Sequence, residues 1–405
     1  QRDSEEPGLA NAYGACEGIR GGGETSMRRK THGPKVEKVI TYRLQAALPE
    51  PVLWAHGRRT HREALLVKIE TDGGGEGWGE CVGPPALAEA AVHEVFASHL
   101  IGMDALQTEA IWHRLYTVSL PWGRRGASIG ALSGIDMALW DAKGHLRRCP
   151  GTELFGGRLR EQVSLFATGL YAREEPEAGR VPRAWDEARR LLDSGYRAVN
   201  IALGRSVAAD LALIRRLRER YPEATFFGDA HGAYEPTESA TVIAALEDAA
   251  FAALFEPGSL PVTRLPLQAG ANSQTRWDVQ TESLSAWQTQ LSWCGGPSEA
   301  MKIRATAQAQ GRNIQARTCL TTPVGFAATL HFVASDARVP GRAEAAPILL
   351  EKDADDDPLW TGAFSGLTLE DGVASVPWTY GWGVSVDEEA LAPLTVARRE
   401  SGPSL

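Results

Sequence analysis

Apolar and polar positions alternate with a period of two over Val36–Leu48 and Ala64–Thr71, the pattern of strands with one buried face. Gly73-Gly74-Gly75, between Ile69 and Trp78, predicts the turn of a hairpin. The period then lengthens to that of a helix over Pro85–Tyr116 and Ser128–Arg147, where Ala131, Ile135, Ala138 and Leu139 fall on one face. Between the first two strands, Trp54–His61 is polar and cationic. It predicts a mobile loop, either closing over a site or simply solvated.

From Gln162 the rhythm changes. Val163–Leu170, Ala198–Leu203, Thr225–Gly228, Ala253–Phe255 and Asn313–Ala316 read as strands, and Pro347–Glu351 as the last of them. Arg183–Asp193, Ala208–Arg220, Glu238–Asp248 and Met301–Gly311 read as the helices between. Strands separated by helices of this length imply a parallel sheet, and so many of them imply a closed barrel. Only Gly258–Leu267 separates two of the strands, which barely accommodates a helix and predicts a gap in the outer ring. Asp371-Gly372 predicts a hairpin turn leading back towards the first domain.

The chain has 405 residues, enough for a barrel and a smaller partner domain. A net charge of −9 argues against a nucleic-acid or membrane-surface partner. No apolar run approaches the roughly 20 residues of a transmembrane helix, and no secretory signal is evident. Five cysteines without CxxC spacing favour reduced thiols in a cytoplasmic protein. Residues 1–34, rich in Gly, Glu and Arg, are expected to be a mobile extension outside the fold, and Met27 offers an alternative start. The remaining divisions expected are 35–160, 161–365 and 366–405, the last returning to the first.

Asp229, just past the strand ending at Gly228, lies where barrel enzymes keep their chemistry. Gly126-Ala127-Ser128-Ile129-Gly130 matches the GxSxG pattern of a hydrolase elbow. That motif needs a strand before the serine, and Pro121-Trp122-Gly123 stands there instead.

At this point the chain resembles the enolase superfamily, in particular its mandelate racemase and muconate-lactonizing branch. The resemblance is carried by Gly77-Trp78-Gly79-Glu80, Ser133–Asp141, Leu154-Phe155-Gly156-Gly157, Gly195–Val199, Asp229–Tyr234 and Cys294-Gly295-Gly296. It implies an α/β fold, an enolase-like α+β capping domain plus a modified (β/α)7β TIM-type barrel. It also implies a lyase or isomerase, dehydratase- or racemase-like, acting on a small carboxylate or sugar acid. The family chemistry takes a proton next to a carboxylate and stabilises the product on Mg²⁺.

Against that pattern the residues depart in several places. Asp229 fills the first metal-ligand position. Phe255 occupies the second, with Glu256 beside it, and Ala271 the third. A high-affinity Mg²⁺ site is therefore not expected. The basic pair of the family falls on Asn200 and Ala202, and its alternative base and partner fall on Arg317 and Gln290. Arginine stays protonated and is a poor base. His231 is the candidate acid, or a histidine that only hydrogen-bonds at the barrel mouth. Glu351 is a candidate catalytic carboxylate, or a structural partner of Arg317. Arg317 is in turn a candidate clamp for a ligand carboxylate. Arg58, Arg59, Asn200, Asn272 and Gln290 are the expected substrate contacts, with a small anionic molecule as partner. Cys319 is expected to be an inert thiol. The alternative is a catalytically inactive homologue serving as a ligand-binding or scaffold protein. In either case the resemblance implies a homo-oligomer.

Overall fold

The computed structural model describes residues 33–174, 177–259, 262–270, 275–278, 283–337 and 348–403. Three sequence expectations fall outside them: the N-terminal extension up to residue 32, the third metal-ligand position at Ala271, and the contact expected of Asn272.

The chain opens with strands β1 (Val36–Trp54), β2 (Gly57–Thr71) and β3 (Glu76–Cys81). The C-terminal strand Thr395–Ser401 pairs with the free edge of β1, and all four strands run antiparallel. The cationic stretch after Trp54 is not a loop. After an irregularity between Ala47 and Val52 the ladder resumes with Val52 opposite Arg59 and Trp54 opposite Gly57. Buried Val52 and the hydrogen bond from Leu53 N to Ala172 O (2.8 Å) hold this tip to the second domain. Cross-strand pairing and tertiary burial thus order a segment whose polarity alone suggests mobility.

Helices α1 (Pro85–Ala90) and α2 (Ala97–Leu100) are joined by a π-helical turn, and α3 (Thr108–Ser119) follows. The single run expected over Pro85–Tyr116 is interrupted because Ile101 is extended and Gly102 is left-handed. Helix α4 (Ala127–Arg147) lies across the sheet, and the short α5 (Gly151–Leu154) ends this domain's helices. The glycines of Gly77-Trp78-Gly79 let β3 touch α4. A Cβ on Gly79 would sit 2.1 Å from Gly134 O, and one on Gly77 2.2 Å from Ala142 N. Ser128 lies in the first turn of α4 and donates to Gly123 O (3.0 Å), so the GxSxG stretch is a helix start.

The second domain is the expected barrel. Its parallel strands are β4 (Gln162–Gly169), β5 (Val199–Ala202), β6 (Phe226–Asp229), β7 (Ala253–Phe255), β8 (Leu267–Ala269), β9 (Ala286–Thr289), β10 (Asn313–Ala316) and β11 (Leu349–Asp353). Each pairs with the next as far as β10, and β11 pairs with β4. Between β10 and β11 no backbone ladder forms among the described residues. Gln315 bridges that seam to Leu349 O (2.8 Å). Helices α6 (Glu177–Asp193), α7 (Val207–Arg220), α8 (Pro236–Asp248), α9 (Pro297–Ala309) and α10 (Pro323–Ala334) cover the outside. Among the described residues no α-helix follows β7 or β8, and the short β7–β8 connection leaves a gap in the outer ring as expected. The Asp371-Gly372 turn forms, but its hairpin pairs with β4 of the barrel; the final strand pairs with the first sheet, and Glu388 just before it binds Lys68 of β2 (2.7 Å).

Buried carboxylates join the two domains. Glu80 accepts from Thr322 N (2.9 Å), Thr322 Oγ1 (2.8 Å) and Gly325 N (2.9 Å) at the start of α10. Asp136 accepts from Ser298 N (2.8 Å) and Ser298 Oγ (2.7 Å) at the start of α9. Both occupy helix N-termini, where unpaired N–H groups and the helix dipole favour an acceptor. Among the described residues no helix is long and apolar enough to cross a membrane.

Candidate active site

The C-terminal ends of β6, β7, β9, β10 and β11 converge at the barrel mouth, and the β1–β2 tip roofs it. A cavity of about 210 Å³ lies between them, lined by Trp54, Arg59, Asp229, His231, Glu256 and Arg317 among others.

Arg317, just past β10, is buried. Its Nε donates to Glu351 Oε2 (2.7 Å) and its Nη2 to Glu351 Oε1 (2.9 Å), a two-pronged contact. Nη2 also donates to Asp229 Oδ2 (2.9 Å), and Nη1 to Gln288 Oε1 (3.1 Å). The guanidinium carbon stands 4.9 Å from the centre of the Phe255 ring. The fork expected to grip a ligand carboxylate is therefore closed on Glu351. Glu351 is further held by Thr318 N (3.0 Å) and Thr168 Oγ1 (2.5 Å). Burial works against the charge on Arg317, but Glu351 and Asp229 outweigh it and hold the pKa well above the ordinary value.

Asp229 ends β6, and His231 follows in a left-handed turn (φ 51°). That turn brings His231 N to Asp229 Oδ1 (3.1 Å) and His231 Nδ1 to the same oxygen (3.3 Å). Burial would raise the pKa of Asp229, but His231 and Arg317 together lower it below the usual carboxylate value. The other ring nitrogen, His231 Nε2, is buried without a partner. Trp54 meets the imidazole edge-on at 5.6 Å, and His56 Nε2 contacts His231 O at 2.7 Å.

Of the expected substrate contacts, Arg59 and Gln290 line the cavity. Arg59 stands 5.7 Å over Trp54, and Gln290 Nε2 donates to Cys319 O (2.8 Å). Arg58 points elsewhere and pairs with Glu174, because alternation along the strand sends neighbours to opposite faces. Asn200 is wholly buried in the barrel and donates to Thr168 Oγ1 (3.3 Å). Cys319 is at the wall, but desolvation and Glu351 push its thiol up to about 12, too high for a nucleophile. Sequence reasoning missed Gln288 and Thr168, the polar groups behind Arg317 and Glu351. Thr168 was within reach, since strand-end positions on β4 face the same mouth; nothing in the four-residue β9 marked Gln288.

The donor set does not suit a divalent ion. Asp229 has one oxygen on Arg317 and the other on His231. Phe255 contributes a ring, and the Ala271 position has no ligating atom in its side chain. Glu256, left-handed at φ 45°, turns its carboxylate towards the cavity and accepts from Gly270 N (2.9 Å). Among the described residues no three His, Cys, Asp or Glu side chains form a cation cage. Two carboxylates and water can hold Mg²⁺ elsewhere. Here a dication on Asp229 would have to share that carboxylate with the Arg317 guanidinium, a like charge already bound to it.

Comparison with known proteins agrees with this architecture. A family model described as mandelate racemase / muconate lactonizing enzyme, N-terminal domain, matches residues 36–156. One described as enolase C-terminal domain-like matches residues 183–390. A D-galactarolactone cycloisomerase of Agrobacterium fabrum is 33% identical over 380 residues, covering 88% of this chain and 98% of the relative. A D-galactonate dehydratase of Pectobacterium atrosepticum is 31% identical over 334 residues, covering 75% and 80%. A solved racemase from Streptomyces coelicolor with bound magnesium is similar in structure, with a TM-score of 0.76 at 25% identity, covering 89% of this chain and 100% of that one.

Proposed function

This chain belongs to the enolase superfamily, in its mandelate racemase and muconate-lactonizing branch, and from that premise we propose an isomerase or lyase acting on a small sugar acid or its lactone. Relatives named for galactarolactone and galactonate support the substrate class. The observation that carries the reading is His231, whose Nδ1 faces Asp229 Oδ1 at 3.3 Å while its Nε2 is buried and unpartnered beside the cavity. A carboxylate on one imidazole nitrogen fixes the ring and supports the imidazolium, leaving the other nitrogen to exchange a proton.

That arrangement suits proton transfer at oxygen. As a C–O bond of the ligand breaks, its electron pair passes to oxygen and the oxygen takes the His231 Nε2 proton. In an elimination, the proton lost from carbon passes to the carboxylate of Glu256, which lines the same cavity. Arg59 supplies a cation for an anionic group on the ligand. A symmetric homo-oligomer is part of the same reading.

A second reading, a ligand-binding protein without turnover, is favoured by the closed Arg317–Glu351 contact and by the absence of a base at Asn200 and Ala202. Proton NMR in D₂O with a panel of aldonic and aldaric acids and their lactones separates the two. Turnover or deuterium uptake that disappears in His231→Asn supports the enzyme. A ligand that raises the melting temperature, unchanged after long incubation, supports the binder.

A further inference from the structure

The position at the end of β10 points to something more specific about charge in this mouth. Resting on the reading of the mouth as the functional site, we propose that the Arg317 guanidinium is a resident cation standing in for the divalent ion, so that the site holds its ligand without Mg²⁺.

Gain and loss are matched in space. Arg317 joins Asp229, on the third barrel strand, to Glu351, on the eighth. These are the two carboxylates that would otherwise face each other across the mouth without a counter-charge. Phe255, which stands at the second metal-ligand position of the resemblance, instead lays its ring under the guanidinium at 4.9 Å. An aromatic face stabilises a delocalised cation and offers nothing to a hard dication. Gln288 completes the cradle with a neutral oxygen at 3.1 Å from Nη1. The residue at Phe255 thus both removes a metal ligand and supports the guanidinium. A tethered cation is present whatever the solution composition, and it needs no waters of hydration removed when ligand enters.

The arrangement also defines what the ligand can offer. Four of the five guanidinium N–H groups meet Glu351, Asp229 and Gln288. One Nη1 hydrogen remains for a ligand. It matches a single acceptor, such as a lactone carbonyl or a hydroxyl oxygen, and not both oxygens of a carboxylate. An anionic group on the ligand is left to Arg59, which lines the same cavity.

The test compares the full-length wild type with Arg317→Ala in low-salt buffer, by elemental analysis and thermal unfolding. The wild type is expected to carry substoichiometric Mg²⁺ after dialysis against it, and its melting temperature should not respond to millimolar MgCl₂, MnCl₂ or EDTA. Arg317→Ala should melt lower and regain part of the loss, saturably, with methylguanidinium or Mn²⁺ but not with NaCl of equal ionic strength. Adding Asp229→Asn to Arg317→Ala should abolish that recovery. Where Arg317→Ala does not fold, Arg317→Met, closer in volume, serves the same comparison. One equivalent of Mg²⁺ on the wild type, lost in Asp229→Asn, overturns the proposal, and so does an Arg317 variant indifferent to every cation. None of these readouts is turnover, so inactivity on sugar acids would count against the proposed enzyme and leave the resident cation standing.

Discussion

Glu80, on the last strand of the first sheet, accepts hydrogen bonds from both the backbone N–H and the hydroxyl of Thr322, at 2.9 and 2.8 Å. The two residues are 242 positions apart in the chain, and the contact ties one domain to the first turn of α10 in the other. Burial pushes the Glu80 carboxyl up to about 8, against the lowering effect of these hydrogen bonds and that from Gly325. Burial likewise raises Asp136 to about 7, opposed by Ser298, and Asp141 to about 6, opposed by His145 and the N–H groups of Trp78 and Trp382. The folded state therefore holds protons that the unfolded chain has released. For Glu80 the window runs from the ordinary value of 4.5 to about 8, and stability falls as pH rises through it. The melting temperature is expected to decline between pH 5 and pH 8, and less steeply in Glu80→Gln. No decline over that range, in wild type or in Glu80→Gln, would mean that the helix N-terminus keeps Glu80 ionised.

The contact between β3 and α4 tolerates no side chain. In Gly79→Ala the new methyl would lie 2.1 Å from Gly134 O and 2.6 Å from Ala138 N, both backbone atoms that cannot step aside. Overpacking of this kind costs about 1–3 kcal/mol, and more where backbone must move. Urea unfolding of Gly79→Ala should give a loss at or above the top of that range. Gly74→Ala is the control for space, since nothing lies within 4 Å of that position; its left-handed φ of 76° leaves only a backbone cost of about 1 kcal/mol.

Removing one member of the buried pair at the mouth should be worse than its surface counterpart. Glu351→Gln leaves Arg317 charged, buried and with one fewer anion. Breaking such a pair costs about 3–5 kcal/mol. The exposed pair Arg189–Asp186 should cost under about 1 kcal/mol when Asp186 is replaced by Asn. Equal effects from the two variants, measured by denaturant unfolding, would contradict this account of the mouth.

Trp54, in the roof, meets the His231 ring edge to face at 5.6 Å, while His56 beside it contacts the His231 carbonyl. In Trp54→Ala the cavity loses a wall and Arg59 loses the ring beneath it, at 5.7 Å. Ligand affinity is expected to fall about tenfold or more, equivalent to about 1.4 kcal/mol, with the fold intact because the tip still pairs through Val52 and Leu53. Calorimetric titration with a ligand found by thermal shift would show it. Unchanged affinity would mean that the tip does not close on the ligand.

What the sequence determined by itself follows from periodicity and from local chemistry. The apolar runs marked the strands of the first hairpin, although Ala64–Ile69 is buried on both faces and not on one, with Ala64 and Leu66 in one core and Leu65, Val67 and Ile69 in another. The strand–helix rhythm after Gln162 marked the parallel barrel because both faces of its sheet are covered. The short interval between Glu256 and Leu267 foretold the missing helix, since a helix needs length that this interval lacks. Asp229 and His231 were legible because two residues past a strand end are held there by the chain itself. The tertiary structure alone decided the rest. β8 and β9 are three and four residues long, too short to show a period, and they exist because neighbouring strands offer them unpaired backbone groups. In sequence Trp54–His61 reads as a segment closing over a site or a solvated one; only the barrel mouth, whose cavity Trp54 and Arg59 line, decides for the first. Arg317 is the clearest case. In sequence it is a cation where a base was expected, equally able to face a ligand or a partner. Only the closing of the barrel brings Glu351 and Asp229 to it from 34 and 88 residues away. A buried guanidinium has to be neutralised by whatever carboxylates the fold supplies, and those come from strands that the chain reaches at distant points.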